Sequence, residues 1–332
     1  MAVVRTELSS RQVGRSLFSR TLRALALLVA LSAIGASCSK SAGLPSAAGS
    51  TRPSSSSFPI TLTDDDHVAL TLQSAPQRIV TWGPSNTEIL FGLGLGRKIV
   101  GVSGPYDDFP PAAKSIAKVG GAGGIQPDLE KVVSLHPDVV LNAFLGGADW
   151  HKRLRDLRIP VFSIYASTFD DALHDIQTVG RLTGATTAAA TLTASMARQA
   201  QTVQSKVAGE PAVSCFLEEG YASGVFTVGP GSIEFDLLRR AGCDPVTAGD
   251  RNAYPSWTDE TLIGKDPAVY LVATESGVSP QAVGTRPGFD AIAAVKDGKV
   301  FAISSDLLNR PGPRVVEGLA DLAKILHPDA FS

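Results

Sequence analysis

The residues able to do chemistry in this 332-residue chain are spread in a way that argues for binding rather than bond-making. No GxSxG elbow, phosphate-cradling glycine loop or CxxC pair occurs in it. The glycine run at 120–124 (GGAGG) lacks the following Lys-Ser/Thr that lets such a loop hold a phosphate, and it reads as a flexible loop. The five histidines, His67, His136, His151, His174 and His327, form no HxH or HxxxH pair. They are expected in surface or capping roles, so no metal site is expected. Asp64, Asp65 and Asp66 lie between two short strand-like runs, where a turn explains them as well as a bound cation does. Cys215 and Cys243 fit a disulfide or two small buried thiols equally well.

The elements that position these residues follow from periodicity. Residues 58–72 (FPITLTDDDHVALTL) read as a hairpin-like opening. Strand-like runs at 78–82, 99–102, 139–142 and 161–164 then alternate with helical runs at 84–93, 128–134 and 150–157. That alternation implies an α/β fold with a mostly parallel sheet. From 168 to 208 the apolar positions Ala172, Ile176, Val179, Leu182, Ala185, Leu192, Met196, Ala200 and Val203 recur at helical spacing. About 40 helical residues run roughly 60 Å, which predicts one long helix joining two lobes. Alternation resumes after Pro211, with strands at 213–217, 269–272 and 300–303 and helices at 232–241, 259–264 and 315–326. The expected architecture is two Rossmann-like α/β lobes, 58–167 and 209–332, joined by a connecting helix at 168–208. A ligand then binds in the cleft between them.

The N-terminal end reports where the chain works. Arg5, Arg11, Arg15, Arg20 and Arg23 precede an apolar run at 24–36, too short to span a bilayer, so residues 1–37 read as an export signal. Cys38 follows Gly35, Ala36 and Ser37 and resembles the modified cysteine of a lipobox, although Gly35 stands where Leu is usual. The segment 38–57 is rich in Gly, Ser and Pro, suiting a flexible tether between a lipid and a folded body. Net charge is −2 for the whole chain, and residues 1–37 carry five Arg and one Glu, so the body is mildly acidic. That balance excludes nucleic acid as the expected partner.

Several segments carry a family resemblance. They are RIVTWGPSNTEILFGLG at 78–94, GVSGPYDDFPP at 101–111, PDLEKVVSLHPDVVL at 127–141, GPGSIEFDLLRRAG at 229–242, PSWTDETLIGKDPAVYLV at 255–272 and SSDLLNRPGPRVVEGLADL at 304–322. Together they resemble the single-helix-hinged substrate-binding proteins of ABC importers, which serve cobalamin, haem and ferric siderophores, and most closely the cobalamin-binding members. The resemblance implies a non-enzymatic monomer without a resident cofactor, capturing cobalamin or a related corrinoid and delivering it to membrane permease subunits. Glu130 and Glu260 fall where the family presents one docking glutamate per lobe. Both stand in a short helix before a strand entered through proline. Ser85, Tyr106, Phe226, Asp306 and Arg310 match ligand-contact positions, and Tyr254 stands where those proteins have Trp. Two further cleft tryptophans are missing, near 121–124 and 143–144, and only Phe144 offers a ring in their place. The family's disulfide to the last helix cannot form, because that helix has no Cys. Ferric siderophore or haem is the alternative cargo. Siderophores favour several cleft arginines, of which Arg251 and Arg286 are further candidates; haem favours Tyr106 as an iron ligand. A surface adhesin or signalling protein on the same fold is the alternative of another class.

Overall fold

The computed structural model describes residues 58–121 and 126–332. The export signal, the tether, Cys38 and most of the glycine run lie outside the described residues.

Strands β1 (Ile60–Thr63) and β2 (Ala69–Leu72) form the antiparallel opening hairpin. Next come β3 (Ile79–Trp82), α1 (Pro84–Gly92), β4 (Ile99–Val102), α2 (Leu129–Ser134), β5 (Val139–Asn142), α3 (Ala148–Asp156) and β6 (Val161–Ser163). The four later strands make a parallel sheet in the order β4-β3-β5-β6. Every residue of β3 and β5 is buried, as expected of strands covered on both faces by helices.

The stretch at 168–208 is not one helix. It divides into α4 (Phe169–Thr183) and α5 (Thr186–Val207), which pack against each other. Gly184 caps α4 in the left-handed region at φ 79°, a conformation that reverses the chain and is costly with a side chain. The close packing also depends on Gly180, where an added Cβ would stand 2.4 Å from the Ala189 Cβ. Most of the apolar stripe is buried (Ala172, Ile176, Val179, Leu182, Met196, Ala200 and Val203), while Ala185 and Leu192 are half-buried against the same core. It serves two packed helices, and α5 alone, at roughly 33 Å, leads on to the second sheet.

The C-terminal half contains β7 (Val213–Tyr221), β8 (Val225–Thr227), α6 (Ile233–Arg240), β9 (Cys243–Pro245), β10 (Ser256–Trp257), α7 (Asp259–Lys265), β11 (Val269–Ala273), α8 (Pro280–Val283), α9 (Ala293–Lys296), β12 (Val300–Ile303) and α10 (Val315–Leu326). Its sheet runs β10-β8-β7-β11-β12, with β9 also paired to β7. β7, β9, β11 and β12 are mutually parallel, while β8 and β10 close one edge antiparallel. Cys215 and Cys243 are joined as a disulfide between β7 and β9, which resolves the question left open by the residues alone. The largest apolar core runs from Leu62 and Ile79 through α4, α5 and α10 to Leu271 and Leu326, so the two sheets share one continuous interior.

His151 departs from the surface or capping role expected of it: it is buried, with Nδ1 3.2 Å from Asp66. His327, though buried with Nε2 3.3 Å from the Gly242 carbonyl, stands at the C-cap of α10, a capping position as expected.

Candidate functional site

Ligands of α/β sheets bind outside the carboxyl ends of parallel strands. Ser85, Tyr106 and Phe144 follow the carboxyl ends of β3, β4 and β5. In the second sheet Phe226 lies in β8, Tyr254 in the loop entering β10, and Asp306 and Arg310 follow β12. Tyr106, Phe144, Phe226 and Tyr254 are 70%, 49%, 51% and 57% exposed, respectively. Each is a large exposed ring, the kind of side chain that packs against a flat ligand. Ser85 is buried in the first turn of α1.

The Tyr106 loop is pinned by its neighbour. Buried Asp107 accepts from Thr87 Oγ1 at 2.5 Å, from the Gly104 N–H at 3.0 Å and from the Ser103 hydroxyl. The next residue reaches the other half of the molecule. Arg310, 8% exposed, donates to Asp108 at 3.2 Å and to Asp306 at 2.6 Å, and stands 3.6 Å from Glu88. Arg314 grips Glu88 with two bonds of 2.6 and 2.9 Å, and its guanidinium lies 3.9 Å from the centre of the Phe109 ring. Burial pushes the Glu88 carboxyl up, while Arg314 and then Arg310 pull it down. Asp306 is likewise pushed up by burial and held down by Arg310. The structure therefore brings Asp306 and Arg310 together and ties both to the Tyr106 loop.

Below Tyr254 lies a carboxyl pair that the motifs do not point to. The Tyr254 hydroxyl is 3.4 Å from Glu234 Oε2. Burial pushes Glu234 up to about 7 and Glu219 up to about 8, each therefore holding a proton well above the usual carboxylate range. Glu219 Oε1 is buried without a hydrogen-bond partner. The signal in the sequence was present but unread: two adjacent carboxylates, Glu218 and Glu219, inside an apolar strand. Glu218 faces the opposite side of the sheet, where Arg286 binds it at 2.6 and 2.8 Å. Arg286 also lies 3.7 Å from the centre of the Tyr221 ring, so it is spent on the fold rather than offered to a ligand. Arg251 is exposed in the loop before Tyr254.

Glu130 and Glu260 occupy equivalent frames. Each is the second residue of a short helix, α2 or α7, capped by the side chain of Asp128 or Thr258. Each helix is followed by a residue of positive φ, His136 at 46° and Asp266 at 47°, then by proline and a central strand. Both glutamates are exposed, and neither forms an ion pair among the described residues. Glu260 is held below its ordinary value by its own backbone N–H and by Thr258.

The periplasmic binding protein family model matches residues 79–307. An uncharacterized ABC transporter substrate-binding lipoprotein of Bacillus subtilis is 33% identical over 82% of this chain and 87% of its own length. A cobalamin-binding protein of Halobacterium salinarum is 33% identical over 82% of this chain and 75% of its own. Among solved structures, the periplasmic vitamin B12 binding protein of Vibrio cholerae superposes with a TM-score of 0.67 at 22% identity, covering 76% of this chain and 99% of that one, a likeness of fold.

Proposed function

We propose, from the premise that this chain belongs to the periplasmic binding protein family, that it is the extracytoplasmic substrate-binding protein of an ABC importer with cobalamin or a related corrinoid as cargo. The observation that carries the cargo is the set of exposed rings, Tyr106, Phe144, Phe226 and Tyr254, together with the Arg310–Asp306 pair. Aromatic faces suit the broad planes of a corrin, and a paired Asp and Arg suit its amide rim. The cobalamin-binding relative, at 33% identity, supports the same reading. Capture involves no bond-making and no resident cofactor. Glu130 and Glu260 are the docking charges for the permease, a role in which ion pairs set orientation and encounter rate. Cys38 is the lipid-anchor site, as the lipoprotein relative supports, and no helix among the described residues is long and apolar enough to cross a membrane.

A second cargo, haem, is favoured by the exposed phenol of Tyr106, which suits an iron ligand. The test is a titration of the purified protein with cyanocobalamin, haem and a ferric-siderophore panel, followed by calorimetry and intrinsic fluorescence. The corrinoid reading expects saturable cyanocobalamin binding at micromolar concentration or below. Haem or siderophore binding without cyanocobalamin binding overturns it.

A further inference from the structure

The loop that carries Phe144 is held by side chains set well behind it, and their hydrogen bonds have a single consistent direction. Asn142, the buried last residue of β5, clamps the Phe144 backbone twice. Its Nδ2 donates to the Phe144 carbonyl at 2.9 Å, and its Oδ1 accepts the Phe144 N–H at 3.1 Å. The same Nδ2 lies 3.2 Å from Ser163 Oγ and 3.0 Å from Tyr165 Oη. Those two hydroxyls in turn donate to one carboxylate, Asp66, at 2.7 and 3.1 Å.

Polarity decides what this chain does. An ionised carboxylate only accepts, so both hydroxyl protons are committed to Asp66 and both hydroxyl oxygens are left as acceptors. Only the NH2 end of the Asn142 amide satisfies those acceptors, which turns its Oδ1 toward the Phe144 N–H. The rest of the aspartate turn fixes Asp66 in place. Asp64 accepts from the Ser163 N–H at 3.2 Å, Asp65 accepts from the Tyr165 N–H at 2.6 Å, and His151 Nδ1 is 3.2 Å from Asp66. On its other side the Phe144 ring meets Trp82 edge-on at 6.2 Å between centroids, and Trp82 meets Trp150 in the same way.

We propose that Asp66 and Asn142 are positioning residues for ligand recognition: Asp66, through Ser163 and Tyr165, sets the orientation of the Asn142 amide, which holds the Phe144 ring at the cleft. The Asp64–Asp66 turn thereby acquires a function other than cation binding. The proposal rests on the reading of Phe144 as a ligand-contact residue, and its test has one arm that needs no ligand.

That arm is the exchange rate of the Phe144 amide proton in the ligand-free protein, measured by NMR. Asp66→Asn and Asn142→Ala should each speed it by about tenfold, the upper range for loss of one part-buried hydrogen bond. The swap Asp66→Asn with Asn142→Asp reverses the bonds through the two hydroxyls and keeps an acceptor for the Phe144 N–H, with the bond to the Phe144 carbonyl lost. It should return exchange toward the wild-type rate, which generic loosening of the loop cannot do. Tyr165→Phe and Ser163→Ala each remove one relay hydroxyl and serve if Asp66→Asn fails to fold; each should give an intermediate rate. In the second arm, cyanocobalamin affinity should fall in Asp66→Asn and in Phe144→Ala, with no further loss when the two are combined. Unchanged exchange in the relay variants, or affinity losses that simply add, overturns the proposal. If wild-type protein does not bind cyanocobalamin, the cargo reading fails while the exchange arm still decides the relay.

Discussion

Arg310 holds three carboxylates from both halves, and its removal leaves buried Glu88 and the more exposed Asp306 and Asp108 short of a cation. Arg310→Ala is expected to lower stability by about 3 kcal/mol, less than a full buried-pair loss because Arg314 still holds Glu88. A denaturant melt that shifts by under about 1 kcal/mol, as for a surface pair, contradicts that role. Glu219 makes a separate prediction about pH. Its folded carboxyl titrates at about 8 against an ordinary value of 4.5, so the folded state holds a proton that the unfolded chain gives up. The sign is that this contribution is fully present below 4.5 and is lost as pH rises through about 8. Glu219→Gln should therefore match the wild-type melting temperature at acid pH and exceed it at pH near 8, the alkaline end of that window. Parallel pH profiles for the two proteins contradict it. Such groups were hard to read from the chain alone, because their shifts come first from burial and then from neighbours such as Glu234 and Glu275, both of which only folding brings about. Tyr106 and Tyr254 could be singled out from local motifs, whereas the Arg310 partner Asp108 is 202 positions away in the chain.

At the scale of elements, periodicity carried most of the fold and failed at one joint. Strands such as β3, β5 and β11 are short apolar runs bounded by Pro and Gly, and they form where the pattern says. The stripe through α4 and α5 was also legible. Its interruption was not, since an isolated Gly inside a helical pattern is often tolerated, and only the packing of α4 on α5 makes Gly184 a reversal point. Gly184→Ala should accordingly destabilise the protein by about 1 kcal/mol, since alanine pays a steric penalty at φ 79°. A stabilised variant instead favours the continuous helix. The disulfide offers an independent check on the β7–β9 pairing. It closes a loop with a sequence separation of 28, so Cys215→Ser with Cys243→Ser should cost about 3–4 kcal/mol by chain-entropy reasoning. A variant as stable in denaturant as the oxidised wild type means the bond does not form in solution.

In the whole molecule, one apolar core runs through both halves and is reinforced by the Glu88–Arg314 and Asp108–Arg310 pairs that cross between them. A ligand cleft framed this way is largely preformed, because wide opening breaks a shared interior rather than flexing a tether. The free and cyanocobalamin-loaded proteins are expected to give superimposable small-angle scattering curves, and a clear contraction on loading argues for hinged closure instead. The repeated frame around Glu130 and Glu260, helix, positive-φ residue, proline and central strand, places on each half one carboxylate without an ion pair among the described residues. Delivery through those two charges is the account's central claim. The most direct measurement is cyanocobalamin uptake by cells carrying Glu130→Arg with Glu260→Arg, beside the affinity of the same purified variant. Wild-type affinity with uptake abolished is the expected result; uptake that survives the double reversal overturns the docking role of Glu130 and Glu260.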